Sequence, residues 1–361
     1  MSNKLRAGII GATGMVGQRF TCLLENHPWF EVTTLAASKR SSGLTYEEAV
    51  KDRWKMKVPL AEKYKKMMVL DADDLDAVCR NVDFVFCAVA SSKEETKELE
   101  ERYAKNEIPV ISNNSANRLT ADVPMMIPEI NGSHIELLQA QKERLGTKKG
   151  FIVVKPNCSI QSYVPAVTPL LCYEPESILA CTYQAISGSG KTFQEMPEMI
   201  DNVIPYIGGE EEKSEIEPLK IWGKVENGQV KYAEKPVITT QCVRVPVSDG
   251  HLAAVYVSFR KKPSMEEMIA AWDRFKAPET VIHLPSAPKQ FLKYFREENR
   301  PQTKLDRDYE NGMGITVGRL REDKIFDYKF VSLSHNTLRG AAGGGVLSAE
   351  YLTACGYITA R

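Results

Sequence analysis

A two-domain α/β protein is what this sequence predicts, with a doubly wound parallel sheet first and a largely antiparallel sheet second. Three observations predict it. Apolar runs alternate with helix-like stretches through the first 110 residues, a glycine-rich turn follows the first run, and the texture changes to longer strands beyond residue 156. At 361 residues the chain also exceeds one ordinary core and suits two.

Taken in order, the first half has apolar runs at 7–10, 32–37, 67–70, 84–90 and 109–111, each read as a strand. Between the first two, Val16, Phe20, Leu23 and Leu24 recur at helical spacing, and His27-Pro28 ends that helix. Alternating strands and helices imply right-handed crossovers and a parallel sheet. A further strand, Phe151-Ile152-Val153-Val154, precedes Lys155-Pro156-Asn157-Cys158. Beyond it come longer strands at 237–245 and 251–259, and Asn227-Gly228 marks a tight hairpin. The tail from Gly340 is rich in Gly and Ala, then apolar at Val346, Leu347, Tyr351 and Leu352, which reads as a helix returning to the first domain. The division expected is 1–155, 156–335 and 336–361.

Bulk composition excludes several classes. Apolar residues make up 43% and charged residues 26%, ordinary for a soluble globular protein. Basic and acidic residues number 47 each, so charge gives no reason to expect nucleic acid or an anionic membrane as partner. No apolar run approaches the roughly 18 residues of a membrane span. Met1-Ser2-Asn3-Lys4-Leu5-Arg6 runs straight into a strand, without room for a secretory signal. The eight cysteines contain no Cys-x-x-Cys pair. That pattern is neither a disulfide framework nor a metal site; it suits a reduced, cytoplasmic chain in which one thiol matters.

Gly11-Ala12-Thr13-Gly14-Met15-Val16-Gly17 sits between the first strand and the first helix. Glycines there allow a tight turn and close approach of a pyrophosphate, and the helix N-terminus supplies N–H groups and positive dipole. Gly11, Thr13, Gly14, Met15 and Val16 are therefore expected to hold a dinucleotide. The spacing departs from Gly-x-Gly-x-x-Gly, and a glycine turn serving packing alone is the alternative. The second strand ends Ala37-Ser38-Lys39-Arg40-Ser41-Ser42, with no carboxylate to hold a ribose 2′-hydroxyl. Hydroxyls and cations at Ser38, Arg40 and Ser41 suit a 2′-phosphate instead, hence NADP; alternatively Lys39 and Arg40 merely solvate a loop. Ser187-Gly188-Ser189-Gly190-Lys191-Thr192 imitates a nucleotide-triphosphate loop, but position 185 is Ala where that motif needs Gly.

A candidate nucleophile is Cys158, just after a buried-looking strand. If a helix starts there, its dipole lowers the thiol pKa, although Pro165 and Pro169 make that helix irregular. A Cys in such a place is otherwise a small core hydrophobe. Arg244 and His251 flank Pro246–Gly250, read as a hairpin turn that would set a cation and an imidazole opposite one another. His251 is the expected proton shuttle. Of the other histidines only His335 is a serious rival.

The strings GATGMVGQRF, KPNCSIQ, TYQAISGSGK, GGEEEKSE, RVPVSDGH and NTLRGAAGG, in order over essentially the whole chain, resemble aspartate-semialdehyde dehydrogenases of the archaeal and fungal branch. The resemblance implies a Rossmann domain joined to an α/β catalytic and dimerisation domain like that of glyceraldehyde-3-phosphate dehydrogenase. It implies NADPH-dependent reduction of aspartyl-4-phosphate to aspartate 4-semialdehyde with release of phosphate, on the route to lysine, threonine, methionine and isoleucine. By motif, Cys158 matches the nucleophile, His251 the acid/base and Gln184 the residue orienting the acyl group. Arg244 matches the clamp on the substrate α-carboxylate, Arg118 and Lys213 the phosphate site, and Glu210 the partner of the substrate amino group. The register among Glu210, Glu211 and Glu212 stays open. Asn157 joins the substrate site, and Ser187, Gly188 and Asn336 join the cofactor site. A homodimer or homotetramer is implied, and no metal. A malonyl-CoA or related acyl-CoA reductase would share the Cys and His. A catalytically idle relative would keep the fold but tends to lose such groups.

Overall fold

The computed structural model describes residues 4–361, so the start of the chain at Met1–Asn3, on which the expectation about a secretory signal bears, lies outside the described residues. The first sheet joins β1 (Leu5–Ile10), β2 (Phe30–Ala37), β3 (Val69–Asp71), β4 (Phe84–Cys87), β5 (Val110–Ser112) and β6 (Ile152–Val154) in the order β3-β2-β1-β4-β5-β6. Every pairing is parallel. Covered on both faces, the central strand β4 is apolar and buried at all its residues. Strand order reverses between β1 and β4, which opens a crevice at their carboxyl ends. The strand expected over 84–90 stops at Cys87, because Ala88 donates to Ile10 O at 2.8 Å and the chain then turns under the glycine loop.

The second sheet joins β7 (Pro175–Gln184), β10 (Val237–Arg244), β11 (His251–Phe259), β12 (Leu292–Phe295), β13 (Ile315–Glu322) and β14 (Tyr328–Ser334) in the order β10-β7-β11-β14-β13-β12. It is mixed rather than antiparallel: both outer pairings, β10 with β7 and β12 with β13, are parallel. The hairpin expected at Pro246–Gly250 does not form. Strand β7 lies between β10 and β11, pairing Arg244 with Gln184 and Leu252 with Tyr183. The connecting loop crosses the end of β7 and is held there by Ile186 N–H to Val247 O at 2.9 Å and Ser187 N–H to Ser248 O at 3.2 Å. Alternate residues of β11 are buried, so one face packs into the core under Trp272 while Tyr183 and Val237 stand exposed on the sheet. A small hairpin of β8 (Lys224–Glu226) and β9 (Gln229–Lys231) does turn at Asn227-Gly228, both with positive φ.

The helix Gly343–Ala354 is buried from Gly343 through Leu352. Val346, Leu347 and Leu352 share a core with Ile9, Phe20 and Phe86 of the first sheet layer. Glu350 at its buried centre faces His27 Nε2 at 2.7 Å and accepts from Ser286. The turn before this helix, Leu338–Ala342, passes directly over Cys158. Among the described residues no helix is long and apolar enough to cross a membrane, and no cluster of His, Cys, Asp and Glu could hold a metal ion.

Candidate active site

Cys158 follows β6 by four residues, and its Sγ lies 3.5 Å from Nε2 of His251, the first residue of β11. The Ala185 N–H donates to His251 Nδ1 at 3.0 Å, so the neutral ring carries its proton on Nε2 and presents it to the sulfur. Burial, reinforced by the Arg244 charge, pushes the His251 pKa down to about 3. The rival His335 is committed elsewhere: its Nδ1 accepts the N–H groups of Thr337 and Leu338, both at 3.3 Å, and so shapes the turn over the site.

Asn157 ties down the chain beside Cys158. Its N–H donates to Glu217 at 2.6 Å, its Nδ2 donates to Glu210 at 3.0 Å, and its Oδ1 accepts from the Ser159 N–H at 2.6 Å. The thiol pKa is raised, not lowered, chiefly by burial and then by the Glu210 charge. The dipole argument from the sequence fails because no long helix follows. Only the short turns Ile160–Ser162, Val164–Val167 and Thr168–Tyr173 are there, the last two carrying Pro165 and Pro169.

The charged residues fall on two walls. Arg118 pairs with Glu217 at 2.9 Å and donates to Lys155 O at 3.0 Å; Lys213 pairs with Glu210 at 2.9 Å. Arg244 is buried and donates to Ala185 O at 2.8 Å. Gly188 separates it from His251: a Cβ there would stand 2.8 Å from an Arg244 nitrogen and 3.1 Å from the imidazole. Gln184, at the end of β7, donates to Glu210 at 3.3 Å. Glu210 is the buried glutamate of its run and the one bonded to Asn157, Gln184 and Lys213. Glu211 instead accepts from Gln241 and the Cys242 N–H, and Glu212 is exposed.

Met15, Val16, Arg118, Asn157, Cys158, Ser187, Gly188, Glu210, Lys213 and Asn336 line one cleft of about 350 Å³. Gln184, Arg244 and His251 stand behind this lining rather than on it, and the rest of the glycine loop with Ser38, Arg40 and Ser41 lies beyond it. Asn336 links two loops of the cleft, donating to Ser187 Oγ at 2.9 Å and accepting from the Gly250 N–H at 2.8 Å. Sequence reasoning missed Lys93, Asn113 and Ser115, which also line the cleft. Asn113 had a usable signal, since it directly follows a parallel strand at its carboxyl end. Lys155, buried beside the nucleophile, gave none.

The glycine loop fits a dinucleotide. Gly11 has φ +86°, and a Cβ on it would lie 2.3 Å from Ala88 O; a Cβ on Gly17 would lie 2.3 Å from Gly11 O. Those two glycines serve close packing of strand, turn and helix. A Cβ on Gly14 would meet only Gly11 O, at 3.5 Å, leaving its outer side open for a pyrophosphate. Buried Gln18 braces the loop by donating to Thr13 O at 2.9 Å. The side-chain amide of Asn113 has neither donor nor acceptor partner, as a polar group awaiting a ligand would. Ser38 and Arg40 are exposed at the rim, while Ser41 is buried and accepts from Arg53 at 3.3 Å.

Comparison with known proteins agrees in both halves. Residues 6–138 match the semialdehyde dehydrogenase NAD binding domain and residues 167–339 the semialdehyde dehydrogenase dimerisation domain. An aspartate-semialdehyde dehydrogenase of Archaeoglobus fulgidus is 42% identical, covering 96% of this chain and 97% of its own. One from Aspergillus fumigatus is 38% identical, covering 98% and 99%. The crystal structure of the Candida albicans aspartate semialdehyde dehydrogenase with NADP superposes with a TM-score of 0.87 at 34% identity, covering 99% of this chain and 100% of that one. With family-model matches in both halves and relatives of this identity along nearly its whole length, the chain belongs to the aspartate-semialdehyde dehydrogenase family.

Proposed function

We propose that this protein reduces aspartyl-4-phosphate to aspartate 4-semialdehyde with NADPH, releasing phosphate, through a thioacyl-enzyme on Cys158. The observation that carries the reading is the 3.5 Å approach of Cys158 Sγ to His251 Nε2 in a cleft that also holds Arg118 and Lys213. The sulfur attacks the acyl carbon, the carbon–oxygen bond to phosphate breaks, and a thioester forms. Arg118 and Lys213 receive the leaving phosphate, which carries away the proton consumed overall. Arg244 grips the α-carboxylate with a planar fork, Glu210 takes the amino group, and Gln184 with Asn157 orients the acyl group. NADPH, when bound, supplies the hydride that reduces the thioester carbon. His251 Nε2–H then steadies the negative charge on oxygen and, as the carbon–sulfur bond breaks, on sulfur. The substrate's own anions favour the charged imidazole that burial and Arg244 otherwise disfavour.

The cofactor rests on Gly11, Thr13, Gly14, Met15 and Val16 at the pyrophosphate, Ser38, Arg40 and Ser41 at the 2′-phosphate, and Ser187, Gly188 and Asn336 towards the nicotinamide. We assign residues 1–155 to the NADP domain, 156–335 to the catalytic and dimerisation domain, and 336–361 to the returning helix. Exposed Tyr183 and Val237 on the second sheet, together with the dimerisation-domain match, support a homodimer or a tetramer built from it. Eight unpaired thiols among the described residues suit a cytoplasmic setting. The deciding experiment is NADP reduction by the purified protein with aspartate semialdehyde and phosphate, run beside NADPH oxidation with malonyl-CoA. Strict dependence on phosphate, with arsenate as a substitute, is the expected result. Activity only with the CoA thioester would overturn the reading.

A further inference from the structure

Two lysines are buried among the described residues, and they are buried differently. Lys220 donates to three carbonyls, Arg118 O at 2.6 Å, Thr120 O at 2.7 Å and Val123 O at 2.9 Å. All three of its N–H groups are used, and it acts as a structural staple. Lys155 is only 4% exposed, yet its ammonium has one protein acceptor, Pro156 O at 2.5 Å, and no carboxylate within 4.0 Å. A buried ammonium left so short of partners is costly, and such costs concentrate where charge does chemical work.

Its place in the fold says what that work is. Lys155 precedes Cys158 by three residues, and the glycine-rich turn after Leu338 presses on both. A Cβ on Gly340 would lie 2.9 Å from Cys158 Cβ, and one on Gly344, a helical turn later, would lie 3.2 Å from Lys155 Cδ. The charged groups facing Lys155 are Arg118, Cys158, Glu217 and Arg339; those facing Cys158 are Glu210, Lys155, Arg118 and Arg244. Arg118 is paired with Glu217, and Arg339 with Glu129 at 2.5 Å. Lys155 has no such partner. It is therefore free to answer a new negative charge at the sulfur.

We propose that Lys155 is a positioning residue whose buried ammonium is the counter-charge that holds Cys158 as its thiolate. The thiol's S–H bond breaks, its proton is taken up by Nζ in the neutral-amine form to complete the ammonium, and nothing is oxidised or reduced. Burial raises the thiol pKa and lowers that of Lys155 to about 7, and the paired charges relieve both penalties together. His251 does not take this proton while its Nε2 is already protonated. The proposal rests on Cys158 being the nucleophile, and its test separates the two.

The experiment is the rate of Cys158 alkylation by iodoacetamide against pH, with a Cys158→Ala protein to subtract the other thiols. In the wild type, alkylation should abolish activity; full activity after complete labelling would sink the nucleophile itself, whatever Lys155 does. Lys155→Met keeps the chain length and removes the charge. Its alkylation midpoint should move up by about one pH unit, a tenfold lower thiolate fraction at neutral pH, with a matching fall in kcat. NADP affinity should be unchanged and the thermal midpoint equal or higher, since a poorly satisfied buried cation has gone. Lys220→Met should do the reverse, losing stability with no movement of the alkylation midpoint. Should Lys155→Met not fold, Lys155→Gln makes the same measurement. A folded variant with the wild-type pH profile overturns the proposal.

Discussion

The two sheets of this protein are built on opposite principles. The central strands of the first are buried for most of their length and its neighbours come in near-sequential order, and the glycine loop that serves it lies within a single strand–turn–helix, Leu5–Leu24. The second sheet alternates buried and half-buried residues, and its site residues Gln184, Arg244 and His251 come from three strands, β7, β10 and β11, that meet only through register. The glycine turn is thus a local property, and bringing Gln184, Arg244 and His251 together is a non-local one. Substitutions in the two regions should therefore separate cleanly.

The largest effect tests the catalytic side. Cys158→Ser should lower kcat on the order of 10⁴-fold, several kcal/mol of barrier, because the hydroxyl is a far poorer nucleophile without a strong base. Fluorescence titration should meanwhile show unaltered NADP affinity. Loss of NADP binding in this variant would mean the regions are coupled after all. The mirror experiment is Gly17→Ala, whose Cβ would stand 2.3 Å from Gly11 O. Overpacking of that kind costs about 1–3 kcal/mol, so NADP affinity should fall by about fivefold to a hundredfold while Cys158 still alkylates at its normal rate.

Smaller changes sharpen the boundary. Arg244→Lys replaces a fork with a point charge and should raise KM for the semialdehyde about tenfold, without moving KM for NADP. Arg40→Ala should cut the preference for NADP over NAD by about three- to tenfold, a modest change because Arg40 is exposed and its charge is screened. An unchanged ratio would remove Arg40 from the 2′-phosphate site. A separate test is stability against pH. Burial depresses His251 to about 3 and His335 to about 4, against 6.5 for a free imidazole. Below pH 6.5 the unfolded chain binds protons the folded one refuses, so stability is complete above 6.5 and declines as pH falls towards 4. A thermal midpoint that rises on acidification through that window would contradict both assignments.

The hairpin expected between Arg244 and His251 shows how far local reading extends. Seven residues apart and flanking a Pro- and Gly-containing turn, the pair reads as two facing strands, and both side chains do lie beside Gly188. Yet β7, which ends at Gln184, 60 residues before Arg244, is the strand each of the two flanks actually pairs with. The neighbours were legible and the connection between them was not. The glutamate run shows the same limit: Glu210, Glu211 and Glu212 are equivalent as letters, and only the rotation of their helix turns Glu210 towards Asn157 and Gln184. Burial, too, reversed the direction expected for the Cys158 thiol.

By itself the sequence determined the parallel sheet, the glycine turn, the tight hairpin at Asn227-Gly228 and the identity of the reactive-residue candidates. Each depends on periodicity or backbone freedom within a few residues, which adjacent side chains set directly. Tertiary structure alone decided the order of the second sheet, which glutamate enters the site, the protonation preferences of Cys158 and His251, and the under-satisfied burial of Lys155. Those depend on desolvation and on charges brought together from distant segments, and neither exists until the chain has folded.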